Sequence, residues 1–425
     1  MYVEYGTAAI FEGEDPKKLD TTNPDNYGFV KWVPDCSVIK GDLDCYATFE
    51  INADAWHILD QNDIKDCVTT GDTVSITKVY STIPNIIQIP DTISIDGKNY
   101  TVTKIGSTCF QTLINLEHIK LSKNITAIGS WAFGNCSNLV SIELPENLKT
   151  IEFSAFSDCT SLESIYIPKN VSSIGDQVFN TISLTTLEVD KDNEYYSVIH
   201  NGNWLIEIAT SINGTKTYSL HSCLKSAKDI TSVNINDIII DGRRVNKDLG
   251  EPIVKLKDYA FSDSNITSID LTGIKEIGAN AFQRCAMLSE VSIPEGCSLG
   301  ATVFAWCSSL TKVTLPSDLN EIGTYVFVEC NIKELVLPAS ISKIAEYAFS
   351  KNINLEKVYI KNTIPSNKDN QWINARAFSD SGVNSGITFY VPWSESEIEW
   401  YEDKEGILCE YWGAKNADII CNFTE

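Results

Sequence analysis

Histidines and hydroxyl or thiol nucleophiles are the side chains from which most catalytic centres are built. The four histidines lie far apart in the sequence, at His57, His118, His200 and His221. None has the spacing of an H-E-x-x-H metal motif or of a catalytic triad. The G-x-S-x-G, phosphate-binding and G-x-G-x-x-G motifs are also missing from the sequence. We therefore predict that the protein is not an enzyme and needs no cofactor or metal.

Carboxylates offer two further kinds of site, a calcium loop or a glycosidase pair. The chain of 425 residues has 57 Asp and Glu against 33 Lys and Arg, which gives a net charge of −24. No D-x-[DN]-x-[DN]-G loop occurs, and residues 60–67 (DQNDIKDC) resemble one only faintly. Counting alone does not test for a glycosidase pair, but most carboxylates fall at predicted turns and surface positions. A hydrolase remains a third alternative, behind two kinds of binding or structural protein.

The charge and hydropathy pattern exclude other partners. Nucleic-acid binding requires clustered Lys and Arg, so the acidic balance predicts no nucleic-acid partner. No apolar run of about 18 residues occurs, so no membrane insertion is predicted. The first residues also lack the basic start and apolar core of a signal peptide. We expect export without such a peptide, its earlier removal, or a chain that is part of a longer protein.

A phenylalanine repeat organises the chain and must position any site. The spacing is 21 to 23 residues within each of two blocks, and one further phenylalanine follows after 29. The series comprises Phe110, Phe133, Phe156, Phe179, Phe261, Phe282, Phe304, Phe327, Phe349 and Phe378. Each unit reads roughly L-x-x-[IV]-x-[IL]-P, a polar turn, then [IVL]-x-x-I-G and A-F-x-x-C. Such a period is typical of stacked repeats.

The unit that ends at Phe179 shows what the pattern predicts locally. Ile165 and Ile167 fall on one face of a period-two strand, which Pro168 ends because it cannot donate a ladder hydrogen bond. A second short apolar stretch follows, and Gly175 allows a tight backbone there. The last residues, DQVF, are predicted to form one helical turn whose phenylalanine fills the core. A unit this short cannot bury its own apolar face, but stacked units can.

The cysteines fit the same pattern. The chain has 13 of them and no C-x-x-C pair, which excludes the usual zinc spacings. Five follow the repeat phenylalanine by three residues: Cys136, Cys159, Cys285, Cys307 and Cys330. We interpret these five as a column of buried thiols, not disulfides. A disulfide among the cysteines outside the repeats stays open: Cys36, Cys45, Cys409 and Cys421.

The recurring phrase resembles the BspA-type leucine-rich repeats of bacterial surface proteins, whose signature is close to IGxxAFxxCxxLxxIxIP. The resemblance covers about residues 100–390. It implies a β-rich leucine-rich-repeat solenoid of short strands and short helical turns, curved and used for binding. Ten strands spaced by about 4.8 Å would give a stack of roughly 45–50 Å. The resemblance does not name the ligand.

The domain boundaries follow from where the repeats stop. We expect one solenoid over 72–392, with 72–105 as its N-terminal cap. Between about 184 and 252 the repeat is interrupted by a segment similar to an insertion common in this family. Three dipeptides there have the chemistry of tight hairpin turns: Asn201-Gly202, Asn213-Gly214 and Asp241-Gly242. We predict that they form β-hairpins that protrude from the solenoid.

The two ends have a different character. Residues 1–50 resemble the second half of a small β-grasp-like repeat of bacterial and phage surface proteins, with Trp32 and Tyr46 predicted as core residues. Residues 51–71 are predicted to be a linker, and the aromatic-rich tail, 393–425, a C-terminal cap. The tail also resembles the ends of tail-associated proteins from phages of gut bacteria. We therefore expect a piece of a larger multi-domain chain or assembly.

The strand positions that point away from the core supply the candidate binding residues. This stripe starts at His118 and Lys120 and passes along one strand of each unit. The candidates on it are Tyr166, Glu188, Asp270, Glu290, Lys312, Glu334, Lys357 and Tyr359. An ordinary solvated sheet face would have the same mixture of residues.

These observations predict an extracellular binding or adhesion protein that recognises a protein or glycan on a bacterial or host surface. The location is a bacterial cell surface or the tail of a phage virion. The alternative is a structural spacer or assembly element of such a surface or tail.

Overall fold

The computed structural model of the protein describes residues 27–33, 46–51, 53–180, 184–199, 204–223, 232–236, 238–240, 243–246, 248–362, 372–384, 386–397, 412, 414 and 417–423. Strands dominate these residues, with a single 3-10 turn, Ala53–Ala55, and one helical turn at 395–397. In chain order the strands are β1 Tyr27–Val33, β2 Tyr46–Ile51, β3 His57–Ile58, β4 Ile64–Thr70, β5 Thr73–Val79, β6 Ile86–Gln88, β7 Thr92–Ile95, β8 Lys98–Ile105, β9 His118–Lys120, β10 Ala127–Ile128, β11 Ser141–Glu143, β12 Thr150–Ile151, β13 Ser164–Ile167, β14 Ser173–Ile174, β15 Thr186–Val189, β16 Tyr196–Ile199, β17 Trp204–Thr210, β18 Lys216–Cys223, β19 Ser232–Asn234, β20 Ile238–Ile240, β21 Arg243–Val245, β22 Ile253–Leu256, β23 Ser268–Asp270, β24 Glu276–Ile277, β25 Glu290–Ser292, β26 Ser298–Leu299, β27 Lys312–Thr314, β28 Glu321–Ile322, β29 Glu334–Leu337, β30 Lys343–Ile344, β31 Lys357–Ile360, β32 Ile387–Tyr390 and β33 Ala417–Ile420.

Each unit contributes one strand to each of two series of parallel strands, which confirms the predicted β-rich solenoid. The first series contains β9, β11, β13 and β15, and later β23, β25, β27, β29 and β31. The second contains β8, β10, β12 and β14, and later β22, β24 and β26, followed by the parallel pair β28 and β30. Residues at matching repeat positions are direct neighbours, as Ile142 is of Ile119. Alternating burial along β13 places Ile165 and Ile167 in the core.

The segment around each repeat phenylalanine is a sharp corner and not the helical turn that the sequence predicted. Residues two before and two after Phe133 have positive φ, 56° at Trp131 and 61° at Asn135. These left-handed residues turn alternate N–H groups toward the next unit, where Phe133 N–H donates to the Ala155 carbonyl at 2.9 Å. The prediction was wrong because every second N–H group of the corner donates to the neighbouring unit, which no local pattern reveals, while the N–H groups between them close local turns, as Ala132 does with Gly129 at 3.1 Å.

The phenylalanines form two columns of stacked rings inside the core. Ring centroids from Phe110 through Phe156 are 5.1 and 5.3 Å apart, with planes within 6° of parallel. From Phe261 through Phe378 the neighbouring centroids are 5.2 to 5.4 Å apart. Each ring inside a column is therefore covered by the rings of the units above and below it.

The five repeat cysteines are free and buried, as predicted. Each thiol also donates a hydrogen bond to the carbonyl oxygen of a phenylalanine in the preceding unit. The Sγ atom of Cys159 lies 3.1 Å from the carbonyl oxygen of Phe133, and Cys330 bonds Phe304 at the same distance. Burial raises the pKa of both thiols far above the usual range, so they stay protonated.

The insertion at about 184–252 contains antiparallel strand pairs where the sequence predicted hairpins, and β20 pairs with β21, but its base is packed into the solenoid core. Strands β16, β17 and β18 form an antiparallel sheet, and β18 pairs in parallel with β22 of the next unit. Leu205 of β17 packs in the N-terminal core, while its neighbours Trp204 and Ile206 pack in the C-terminal core. The base of the insertion is therefore a partition between two cores, and the tip of the β17–β18 hairpin, residues 209–217, is exposed. Asn201-Gly202 and Asp241-Gly242 lie outside the described residues.

The predicted linker, residues 51–71, takes part in the solenoid. Strand β3 pairs with β6, β4 pairs with β5, and Leu59 is buried between the sheets. At the other end, Trp412 covers Phe389 with their ring centroids 5.1 Å apart, and β33 extends the first series. Strands β1 and β2 form an antiparallel pair. The side chains of Trp32 and Tyr46, and all of Cys36, Cys45 and Cys409, lie outside what is described.

Candidate binding face

The eight predicted binding residues all lie on first-series strands, on the side opposite the core. Six of them come together in the C-terminal half, from Asp270 of β23 to Tyr359 of β31. Tyr166 and Glu188 are neighbours on β13 and β15 in the N-terminal half. We call the solvent side of the first series the strand face.

Four of the residues form a row of alternating charge, the charged row, made up of Glu290, Lys312, Glu334 and Lys357. They are direct neighbours on four successive strands. Lys312 lies 3.8 Å from Glu290, and both side chains are largely exposed. Glu334 and Lys357 form no ion pair with any residue that the structure describes.

An apolar row runs beside the charged row. Val336 of β29 adjoins Tyr359, which adjoins Tyr390 of β32, which adjoins Ile420 of β33. The rings of Tyr359 and Tyr390 stack at 4.7 Å, and Phe423 packs against both at 5.3 and 5.1 Å. We call Tyr359, Tyr390 and Phe423 the aromatic cluster.

Sequence reasoning missed Tyr390 and Phe423. Both lie past the last regular unit, where the phenylalanine spacing no longer guides the alignment. The period-two pattern of residues 387–390 could have predicted Tyr390. Ile387 and Phe389 face the core, which leaves Tyr390 on the opposite side of the strand.

Two adjoining depressions give the strand face a groove in the C-terminal half. The larger, of about 810 Å³, lies over β27 and β29 and reaches Lys361. The smaller, of about 240 Å³, lies over β23, β25 and β27. Because both are lined by Lys312 and Thr314, we treat them as one groove that runs across the strands.

In the N-terminal half, the predicted stripe contains a buried histidine and an exposed, hydrogen-bonded tyrosine. His118, predicted to lie on the exposed stripe, is buried, with Nδ1 2.8 Å from the Ser141 hydroxyl oxygen. Tyr166 is exposed, and its hydroxyl donates to Asp190 at 2.5 Å. This hydrogen bond is the main reason that the pKa of Tyr166 is raised to about 12.

The partition between the two cores contains a buried histidine. Strand β14 ends the second series of the N-terminal half, so Ile174 meets no further strand. Side chains of the insertion satisfy its backbone instead: His221 Nε2–H donates to the Ile174 carbonyl at 2.9 Å, and Ile174 N–H donates to the Tyr196 hydroxyl at 2.8 Å. Burial lowers the pKa of His221, and burial also raises that of Asp176 nearby.

The described residues contain no group of three or more His, Cys, Asp and Glu side chains able to hold a metal ion. Among the same residues, no helix is long and apolar enough to cross a membrane. The strand face therefore offers an open groove with charged, hydroxyl and aromatic side chains, an arrangement suited to binding.

A strand solenoid with a groove across its open face defines a repeat protein of the leucine-rich class. The BspA type Leucine rich repeat region family matches six copies, over residues 91–198, 245–300 and 275–389. These matches span more than half of the chain, so the protein belongs to the BspA-type leucine-rich repeat family.

Solved structures share the fold at low sequence identity. A leucine-rich repeat protein from Eubacterium ventriosum is 19% identical, with 73% of this chain and 90% of that chain covered and a TM-score of 0.52. The pneumococcal vaccine antigen PcpA is 18% identical, with coverages of 86% and 98% and a TM-score of 0.50. A leucine-rich cell surface protein from Faecalibacterium prausnitzii is 21% identical, with coverages of 93% and 100% and a TM-score of 0.46. A comparison with curated proteins gave no significant match.

Proposed function

We propose that this protein is a bacterial cell-surface binding or adhesion protein that contacts a protein or glycan through the strand face of its C-terminal half. The observation that carries the proposal is the groove of about 810 Å³, which brings the predicted Lys312 and Glu334 together with apolar side chains. Concave sites that combine apolar walls with a few polar groups are the usual form of binding sites.

The location rests on the family, because the BspA-type repeats of this chain resemble those of bacterial surface proteins. The pneumococcal vaccine antigen PcpA shares the fold. The surface location of this chain is part of the proposal. A place in a phage tail or a gut bacterium stays a prediction that these relatives do not support.

The test is binding of the fluorescently labelled chain to bacterial and host epithelial cells, measured by flow cytometry. We expect saturable binding that falls when Lys312 and Lys357 are both changed to Glu. A matched control is the double change of Lys343 and Lys351 to Glu, two exposed lysines that do not line the groove. Equal binding by the two charge-reversed variants would exclude the strand face as the contact surface.

A structural spacer is the second candidate, supported by the columns of stacked rings that extend through the core. A folded chain that binds no cell surface, and whose strand face is covered by neighbouring subunits in the parent assembly, would favour this candidate.

A further inference from the structure

We propose that the groove binds a single chain of an uncharged polysaccharide, which lies along the stack with about one sugar unit per strand. This inference rests on the proposed function and narrows its ligand from a protein or glycan to a neutral glycan. Four features of the groove support it: charge, hydroxyl content, direction and an aromatic end.

The groove has no net charge in an acidic protein. Its lining contains three glutamates, Glu290, Glu295 and Glu334, and three lysines, Lys312, Lys333 and Lys361. The whole chain has a net charge of −24. The net negative charge of the chain would therefore repel a polyanion at long range, and the groove has no excess of lysine to attract it. A polycation would find no excess of carboxylates in the groove.

The polar groups of the groove suit hydroxyl groups, which both donate and accept hydrogen bonds. Ammonium groups donate only and carboxylates accept only, so alternating signs offer each successive hydroxyl a different partner. Lys333 and Glu334 form no ion pair with any described residue. Five hydroxyl side chains also line the groove: Ser268, Ser292, Thr311, Thr314 and Ser317.

The groove has the direction and period of an extended polymer. It crosses β23, β25, β27 and β29 and reaches Lys361, just after β31. Neighbouring strands are spaced by about 4.8 Å, close to the length of one pyranose unit in an extended glycan. Each strand therefore presents the same pair of positions to each successive sugar.

The aromatic cluster adjoins the groove where it ends. Val336 lines the groove and is the direct neighbour of Tyr359, whose ring stacks on Tyr390. Tyrosine offers an apolar ring to the C–H groups of a sugar and a hydroxyl to its oxygens. A protein partner would also use such aromatic side chains, so the test has to separate the two.

The first experiment applies the whole chain to a microarray of neutral polysaccharides (mannan, laminarin, xylan and galactan) and of the polyanions heparin and polygalacturonate. We expect binding to at least one neutral polymer, little affected by added salt. Affinity for oligosaccharides of increasing length, measured by calorimetry, is expected to rise to about four or five units and then level off, because the groove crosses four strands and reaches Lys361 just after a fifth. Binding to polyanions alone, lost as salt rises, would overturn the inference.

The second experiment compares two tyrosine pairs of similar geometry. Tyr390→Ala is expected to weaken glycan binding by about tenfold, as loss of an anchoring aromatic does. Tyr347→Ala is the control, because Tyr347 stacks on Tyr325 at 5.1 Å in the corner segments, away from the groove. Lys333→Gln, an exposed change that keeps a donor, checks the groove independently of the aromatic cluster and is expected to weaken binding less.

The experiments distinguish a failure of this inference from a failure of the proposed function. A folded chain that binds no polysaccharide but still binds cells, with binding removed by protease treatment of those cells, overturns the glycan and leaves the binding function intact. A folded chain that binds neither polysaccharides nor cells overturns both.

Discussion

In seven of the units, the residue three positions after the repeat phenylalanine donates a hydrogen bond to a phenylalanine carbonyl, and it is not always cysteine. Cys136, Cys159 and Cys285 donate to a phenylalanine carbonyl of the preceding unit. In the last units Asn352 donates to Phe327 at 2.8 Å and Ser381 to Phe349 at 2.7 Å. A buried carbonyl that loses its donor is costly, which explains why the side chain varies while the hydrogen bond remains.

A first prediction follows at Cys159. Cys159→Ala removes the donor to Phe133 and leaves a small void, so the free energy of unfolding should fall by about 1–3 kcal/mol. Cys159→Ser keeps a hydroxyl donor like that of Ser381, so its free energy of unfolding should fall by less than that of Cys159→Ala. Urea denaturation of both variants measures the difference; equal losses would show that the thiol acts only by filling space.

A second prediction concerns the left-handed corner residues. Thr302 has a φ of 60°, which is unfavourable for a β-branched side chain, whereas Asn280 holds the same position at 57° in the preceding unit. Thr302→Asn should therefore raise the free energy of unfolding by about 1 kcal/mol. Thr150→Asn, in strand β12, is the control. This change should lower the free energy of unfolding, because threonine is favoured in strands. A destabilised Thr302→Asn variant in denaturant titrations would contradict the strain argument.

At the scale of elements, the strands and the buried column were predictable because they depend on periods within one unit. Ile165, Pro168 and Phe179 are sufficient to predict a strand, its end and a core side chain. The corner, the partition and the capped edge of β14 depend on contacts between units. His221 reaches Ile174 across 47 residues, and nothing in the local sequence of either residue indicates the contact.

One of the three residues of the aromatic cluster was predicted, for the same reason. Tyr359 belongs to a regular unit, so its orientation followed from the repeat. Tyr390 and Phe423 join it only because β32 and β33 continue the first series after the repeat pattern has ended.

A third prediction concerns pH and the capped edge. Because burial lowers the pKa of His221 below its ordinary 6.5, the unfolded chain binds the proton more readily. The stability that this neutral histidine contributes is present above about pH 6.5 and is lost as the pH falls below it, by at most about 1.4 kcal/mol per pH unit. Asp176 has the opposite sign: its raised pKa makes its contribution fall as the pH rises above 3.8.

The measurement is the unfolding midpoint in urea between pH 5 and pH 7.5, for the natural chain and for His221→Gln. Glutamine keeps a donor for the Ile174 carbonyl and does not titrate, so the variant should lose most of the pH dependence in this range. Glu207 and Lys257 form an ion pair at 2.9 Å beside His221, and the substitution leaves both residues in place. An unchanged pH profile in His221→Gln would assign the dependence to other groups.

For the whole molecule, the partition means that the two cores share one strand. Leu205 and Ile206 are consecutive residues of β17 and are buried in different cores. In a stacked protein, stability is approximately a sum over units and their interfaces. A shared strand therefore couples the unfolding of the two halves.

A fourth prediction tests this coupling. Phe156→Ala and Phe304→Ala, one in each column, should each cost about 3–5 kcal/mol, and each should lower the single melting transition of the whole chain. Phe153→Ala is the control with a smaller loss, because Phe153 is 37% exposed. Differential scanning calorimetry that resolves two transitions, of which each variant shifts only one, would show that the halves unfold independently.

The side-chain cap on β14 also has a consequence for how such a chain can change in length. Where neighbouring units pair strand to strand, adding or deleting a unit must preserve a backbone ladder. At β14 the next layer is joined through the side chains of Tyr196 and His221 instead. A unit added after β14 would therefore have to replace these two side-chain contacts with a strand pairing, and it would separate Leu205 from the core that it fills.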